Sequence, residues 1–67
     1  MLPDTDTLMD AIRTLQEQDP DKRAPTLREI ADHMGISRQA AHQRTKVAER
    51  RGLISVIPFK HRGIIVL

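Results

Sequence analysis

The sequence predicts a mainly α-helical domain that ends in a small β-hairpin. Two observations support this fold class. Apolar residues recur at helical spacing through most of the chain, and then the period changes to two short β-branched runs near the end. Between these regions, a short capped helix and a second capped helix flank a turn that contains glycine. We expect the 67 residues to form a single domain, because a chain of this length supports only one small core.

The first helix is predicted from about residue 5 to residue 18. Leu8, Ile12 and Leu15 follow one another at i, i+4 and i+7, which places them on one stripe of a helix. The next segment, DPDKRAP, contains two prolines and several charges and is typical of a loop.

A second helix is predicted over residues 27–34, with its start marked by a capping box. Thr26 is followed three residues later by Glu29, so each side chain can bond the other residue's backbone N–H. Gly35 can adopt the left-handed conformation that ends a helix. The apolar stripe of this helix consists of Leu27, Ile30, Ala31 and Met34.

The third helix is predicted over residues 38–51, after the short turn GIS. Ser37 is a good N-cap, and Gly52 ends the helix. Together with the second helix, this arrangement predicts a helix-turn-helix.

Beyond Gly52, the segments LISVI and GIIVL are apolar and rich in β-branched residues. They are separated by PFKHR, which predicts a β-hairpin over residues 53–67 with a basic loop. Three helices followed by this two-stranded antiparallel hairpin, the wing, define a winged helix-turn-helix.

Charge is distributed unevenly along the chain. Residues 1–33 contain eight acidic and four basic residues, whereas residues 34–67 contain one acidic and seven basic residues. The net charge of +2 is therefore the result of −4 in the first half and +6 in the second. Such asymmetry indicates a polyanionic partner for the second half, although a solvated surface would also accommodate it.

The third helix presents a polar face that suits the edges of DNA bases. At 100° per residue, five polar side chains fall within an arc of about 140°. Arginine can pair with guanine and glutamine with adenine in the major groove. The opposite side is predicted to pack on the second helix through Ala40, Ala41, Val47 and Ala48, with Thr45 at its edge. The polar face consists of Arg38, Gln39, His42, Gln43 and Lys46.

Three segments resemble the winged-helix DNA-binding domain of the LexA repressor family: APTLREIADHMGIS, AAHQRTKVAERRGLI and HRGIIVL. The resemblance extends from about Leu8 and is strongest from Pro25 onward. The chain departs from that family in a turn one residue shorter, in His42 and Gln43 where acids are usual, and in lacking the self-cleaving peptidase domain. The family's operator sequence and its autoproteolysis are therefore not inferred for this protein.

The resemblance implies which residues contact DNA. It places base contacts on the first turns of the third helix, at Ser37, Arg38, Gln39, His42 and Gln43. It places phosphate contacts on the wing, at Lys60, His61 and Arg62. We also assign phosphate contacts to Thr26, Arg44 and Lys46.

Several other classes of protein are not expected. The chain has no cysteine and its three histidines are widely spaced, so we expect no metal and no cofactor. Ser37 lacks plausible base and acid partners, and no other arrangement of residues indicates an enzyme. The acidic N-terminus does not indicate a signal peptide. The longest apolar run, GIIVL, is too short for a membrane span. We expect a cytoplasmic protein that associates with the nucleoid when it is bound.

The favoured hypothesis is the sequence-specific DNA-binding domain of a bacterial or phage transcriptional repressor. Its partner would be double-stranded DNA, with a possible homodimer on DNA over two half-sites and no small-molecule ligand. The free protein is expected to be mainly monomeric. The alternative is a winged-helix module whose basic half binds an acidic protein.

Overall fold

The computed structural model describes residues 4–58, 60 and 62–67. The two strands pair as one antiparallel sheet in which Ser55 lies opposite Ile65. The predicted fold class, three helices followed by a two-stranded wing, is confirmed. In chain order the elements are α1 (Asp4–Gln18), α2 (Leu27–Met34), α3 (Arg38–Arg50), β1 (Ile54–Val56) and β2 (Ile64–Val66).

The core lies where the three helices and the inner face of the wing meet. α2 packs on both α1 and α3, and β1 packs on α3. The largest fully buried aliphatic side chains come from three different elements, and each contributes about 1.5–3 kcal/mol through burial. They are Leu8 and Ile12 of α1, Ile30 of α2 and Ile54 of β1.

The inner face of α3 differs from the prediction. Ala41, Thr45 and Ala48, at i, i+4 and i+7, are the buried residues of this helix. Thr45 belongs to the middle of the buried stripe because its hydroxyl donates to the carbonyl of Ala41 (2.8 Å), so it needs no partner outside the helix. Val47, which was predicted on the inner side, is 40% exposed. The small buried side chains allow α3 to lie close to α2.

The wing has one face on the core and one face exposed. Ile54 and Ile64 are buried because alternate residues of each strand point toward the core. Residues of the other parity form an exposed apolar face. This outer sheet face consists of Leu53, Ile57, Ile65 and Leu67.

Gly63 fixes the base of the wing loop. The N–H of Ile57 donates to the carbonyl of Gly63 (2.9 Å), which pairs the residues on the two sides of the loop. A Cβ atom at Gly63 would lie 2.7 Å from the carbonyl oxygen of Ile57 and 3.1 Å from that of Lys60. Only glycine allows the backbone to approach this closely.

None of the helices in the described ranges is long and apolar enough to cross a bilayer.

Candidate nucleic-acid interface

The turn between α2 and α3 is fixed by hydrogen bonds at both helix ends. At the start of α2, Thr26 Oγ1 accepts from Glu29 N–H (3.1 Å) and Glu29 Oε1 accepts from Thr26 N–H (2.9 Å). Gly35 ends α2 in the left-handed conformation, with φ of 69°. Ser37 Oγ then accepts from Ala40 N–H (3.1 Å), which starts α3. These hydrogen bonds therefore fix where α2 ends and where α3 begins.

The polar face of α3 is exposed along its length. Each of its five side chains is on the surface, and Ser37 beside them is exposed as well. An α-helix with its side chains is about 10–12 Å across and fits a major groove about 12 Å wide. The structure thus brings all the predicted base-contacting residues onto one accessible surface.

A groove separates α3 from the wing. His42 and Lys46 line it on the helix side and Lys60 lines it on the wing side, around a volume of about 380 Å³. Glu49 also lines it and is the only acid among the lining residues that the structure describes. The groove therefore lies between the polar face of α3 and the exposed Lys60, with apolar residues such as Leu27 and Val56 also in its lining.

The remaining predicted phosphate contacts occupy different environments. Lys46 and Lys60 are exposed and Arg44 is half-buried. Thr26 is buried at the start of α2, where its hydroxyl serves as the helix cap. His61 lies outside the described residues.

Arg62 is bound within the protein, which the sequence did not reveal. Its Nη1 donates to Glu29 Oε1 (2.9 Å) and to the carbonyl of Ala24 (2.9 Å), and its Nη2 donates to Glu29 Oε2 (3.1 Å). The side chains of Arg62 and Glu29 are 26% and 43% exposed. The sequence predicted a phosphate contact for Arg62, and the structure adds an internal partner. We name this group, Ala24, Thr26, Glu29 and Arg62, the wing junction.

The wing junction alters the electrostatics of Glu29. Hydrogen bonds from Arg62, together with that from the N–H of Thr26, hold the pKa of the Glu29 carboxyl below its ordinary value. No spacing rule could have found this pair, because the residues are 33 positions apart. The capping box was visible in the sequence because its two residues are three positions apart.

Acidic residues of the first half are also engaged internally. Asp19 binds Arg23 (3.1 Å), which lowers the pKa of Asp19, and Glu17 binds Lys22 (2.9 Å). By contrast, no ion pair to Arg38, Lys46 or Lys60 occurs among residues 4–58, 60 and 62–67. Within the same ranges, no cluster of side chains could hold a metal ion.

The model of the MarR family matches residues 5–63, a segment that includes all three helices, β1 and the wing loop. No curated protein matches the chain. The winged-helix expectation is confirmed, whereas the family found is not the LexA family that the three segments resemble. Proteins of the matched family are regulators rather than enzymes, and their winged-helix domains bind DNA, often as dimers. Since the match extends over most of its length, the chain belongs to the MarR family.

Proposed function

We propose that this protein is a sequence-specific transcriptional repressor that reads the major groove of double-stranded DNA with α3 and binds phosphate with the wing. One observation carries the proposal: the polar face of α3 is exposed in full, on a helix whose start is fixed by the turn before it. The LexA-like segments favour a repressor over an activator. The family match supports the coarser assignment to DNA-binding regulators.

Base readout is assigned to the first turns of α3. Arg38 and Gln39 stand at the start of the helix, where a recognition helix brings side chains to base edges. Gln43 and His42 follow one turn later on the same exposed surface. Ser37 accepts a hydrogen bond from Ala40 and keeps its hydroxyl hydrogen for a base.

Phosphate binding is assigned to cations around the groove and to the start of α2. Lys46 and Lys60 lie on opposite sides of the groove, so they can contact separate phosphates. Arg44 and His61 complete the set. Thr26 caps α2 through its oxygen and can still donate its hydroxyl hydrogen. The set consists of Thr26, Arg44, Lys46, Lys60 and His61; Arg62 is left out because it already donates three hydrogen bonds within the chain.

Pairing is proposed to occur on DNA, over two half-sites one or two helical turns apart. The solvent side of α1 carries polar and charged residues and offers no apolar surface for a partner. Sedimentation at micromolar concentration should therefore show mainly monomer. A tight dimer without DNA would contradict this and direct attention to the outer sheet face.

Selection of bound sites from a random duplex library, followed by titration at several salt concentrations, tests the proposed function. We expect the selected site to be bound at least about a thousandfold more tightly than a scrambled duplex. We also expect log K to fall linearly with log salt, by about 0.9 for each phosphate neutralised. Weak binding without salt dependence and without a preferred site would overturn the proposal and favour a protein partner.

A further inference from the structure

The wing junction connects two parts of the proposed DNA surface that are distant in sequence. Arg62 follows Lys60 by two residues on the wing, whereas Glu29 lies in the first turn of α2. The two guanidinium nitrogens bind the two carboxylate oxygens at 2.9 and 3.1 Å, and Nη1 also binds the carbonyl of Ala24. This paired geometry is the strong and directional form of an arginine–carboxylate contact.

The wing needs such an attachment because the hairpin itself is small. Each strand has three residues, and an isolated two-stranded hairpin is marginally stable in water. The inner face holds β1 on α3, but Lys60 lies in the loop between the two strands and outside that contact. Arg62 holds the end of that loop against α2, and close packing at Gly63 fixes the adjacent backbone.

The internal bonds of Arg62 limit what it can offer a phosphate. Glu29 and the carbonyl of Ala24 take both N–H donors of Nη1 and one of Nη2, so Nε and the second N–H of Nη2 remain. A phosphate bound through Nη1 would displace Glu29 and leave its carboxylate near the DNA backbone, where like charges repel. The observed arrangement neutralises Glu29 and leaves the ammonium group of Lys60 exposed.

We propose that Arg62 is a positioning residue for DNA binding: through Glu29 it holds the wing so that Lys60 and the polar face of α3 engage the same duplex. This inference rests on the proposed DNA-binding function. Arg62 acts through Lys60, so the energetic effect of Lys60 depends on Arg62.

The first experiment measures that dependence with the full chain and the selected duplex. Lys60→Ala should weaken binding about 5- to 10-fold in the unchanged background, a loss typical of one phosphate contact. In an Arg62→Met background, where the wing is no longer held, the same substitution should cost less than about 2-fold. Arg62→Lys retains the charge without the paired geometry and should also reduce the effect of Lys60→Ala.

The second experiment tests whether removing the negative charge of Glu29 strengthens or weakens DNA binding. Glu29→Gln removes a negative charge, which by electrostatics alone should strengthen DNA binding, but positioning predicts weaker binding because the hold on Arg62 is lost. Asp32→Asn is the matched control, since it removes an exposed acid of the same helix outside the junction. We expect about 3-fold tighter binding or no change for Asp32→Asn, and weaker binding for Glu29→Gln.

The outcomes distinguish the two proposals. Equal effects of Lys60→Ala in both backgrounds, or tighter binding by Glu29→Gln, would overturn the positioning role and leave the proposed function intact. Failure of the unchanged protein to bind duplex DNA would overturn both. Thermal melts identify any variant that does not fold, and if Arg62→Met is one, Arg62→Lys and Glu29→Gln decide the question.

Discussion

The starts of α2 and α3 have the same cap but different surroundings. Each helix begins with a hydroxyl that accepts the backbone N–H three residues later, at 3.1 Å in both cases. That third residue is Glu29 in α2 and Ala40 in α3. Glu29 bonds back to the cap and also binds Arg62, whereas Ala40 can do neither. The side chain of Glu29 thus makes the start of α2 an internal junction, whereas the start of α3 is open to solvent.

In the proposed function, the comparison separates anchoring of the wing from recognition of DNA. The start of α2 is closed, with its cap buried and its acid neutralised by the wing. At the start of α3, no acid stands in the first turn, and the helix dipole favours an anion. An acid in the first turn of α3 would oppose a DNA backbone. Alanine at this position therefore suits the proposed role of α3 in DNA binding.

Converting the start of α3 into a copy of the start of α2 should have the largest effect. Ala40→Glu completes a capping box with Ser37 and should maintain or raise the melting temperature. The added charge would stand in the first turn of α3, beside the proposed base-contacting residues, and unfavourable like-charge contacts cost on the order of several kcal/mol. Binding to the selected duplex should therefore be nearly abolished, as measured by fluorescence anisotropy.

The matched control for this change is Ala40→Gln, which can also close the capping box but carries no charge. It should retain most of the affinity. Equal losses by the glutamate and glutamine variants would mean that side-chain size, not charge, decides what this position tolerates.

Recognition and anchoring should also separate when single contacts are removed. Gln39→Ala should cost about 1–3 kcal/mol on the selected site and little on a scrambled duplex, because base contacts differ among sequences. Lys60→Ala should weaken binding to both duplexes by a similar factor and lower the salt slope by about one unit. Both variants are measured on both duplexes at several salt concentrations. Equal weakening by Gln39→Ala on the two duplexes would assign the polar face of α3 to the backbone instead.

The features that the sequence predicted well are those decided by neighbouring residues. The bounds of α2 follow from Thr26, Glu29 and Gly35, which act within one or two helical turns. Exposure of the polar face of α3 follows from helical periodicity. Helical periodicity placed Thr45 only at the edge of the inner side, whereas it lies within the buried stripe because its own helix supplies a partner for its hydroxyl.

Features that depend on docking could not be predicted from the sequence. Arg62 meets Glu29 only after the wing has folded onto α2, and nothing in either local segment indicates the other. The predicted phosphate contact of Arg62 came from the family resemblance of the wing, which carries no information about partners within this chain. The strands are also shorter than the apolar runs that predicted them, although the N–H of Leu67 still donates to the carbonyl of Leu53 just beyond them.

The two caps should differ in their effect on stability. Thr26→Ala removes the hydroxyl from a site that is 6% exposed, so water cannot easily replace it, and we expect a loss of about 1 kcal/mol. For a domain of this size, the melting temperature should fall by about 4–8 °C. Ser37 is exposed, so Ser37→Ala should cost less, because water can satisfy the freed N–H. Thr26→Ser retains the cap and is the control; equal losses at Thr26 and Ser37 would remove the distinction between a closed and an open helix start.

Of the changes considered, acid should have the smallest effect, a decrease in the free energy of unfolding through Glu29 at the start of α2. Arg62 and the N–H of Thr26 lower the pKa of Glu29 below its ordinary value of 4.5, so the folded state binds this proton less readily than the unfolded state. The resulting stability is present above about pH 4.5 and is lost as the pH falls through the lower, folded-state pKa. Since the Glu29 side chain is 43% exposed, screening by solvent limits the contribution to below about 1 kcal/mol.

Urea melts of the unchanged protein and of Glu29→Gln at pH 7 and pH 3 measure this contribution. The unchanged protein should lose more stability between the two pH values than the variant, because glutamine has no proton to bind. Asp19 also has a lowered pKa, held by Arg23 on the loop after α1, and it should contribute equally to both proteins. An identical loss in the two proteins would mean that Arg62 holds the wing without stabilising the charge of Glu29, and that hydrogen-bond geometry alone closes this helix start.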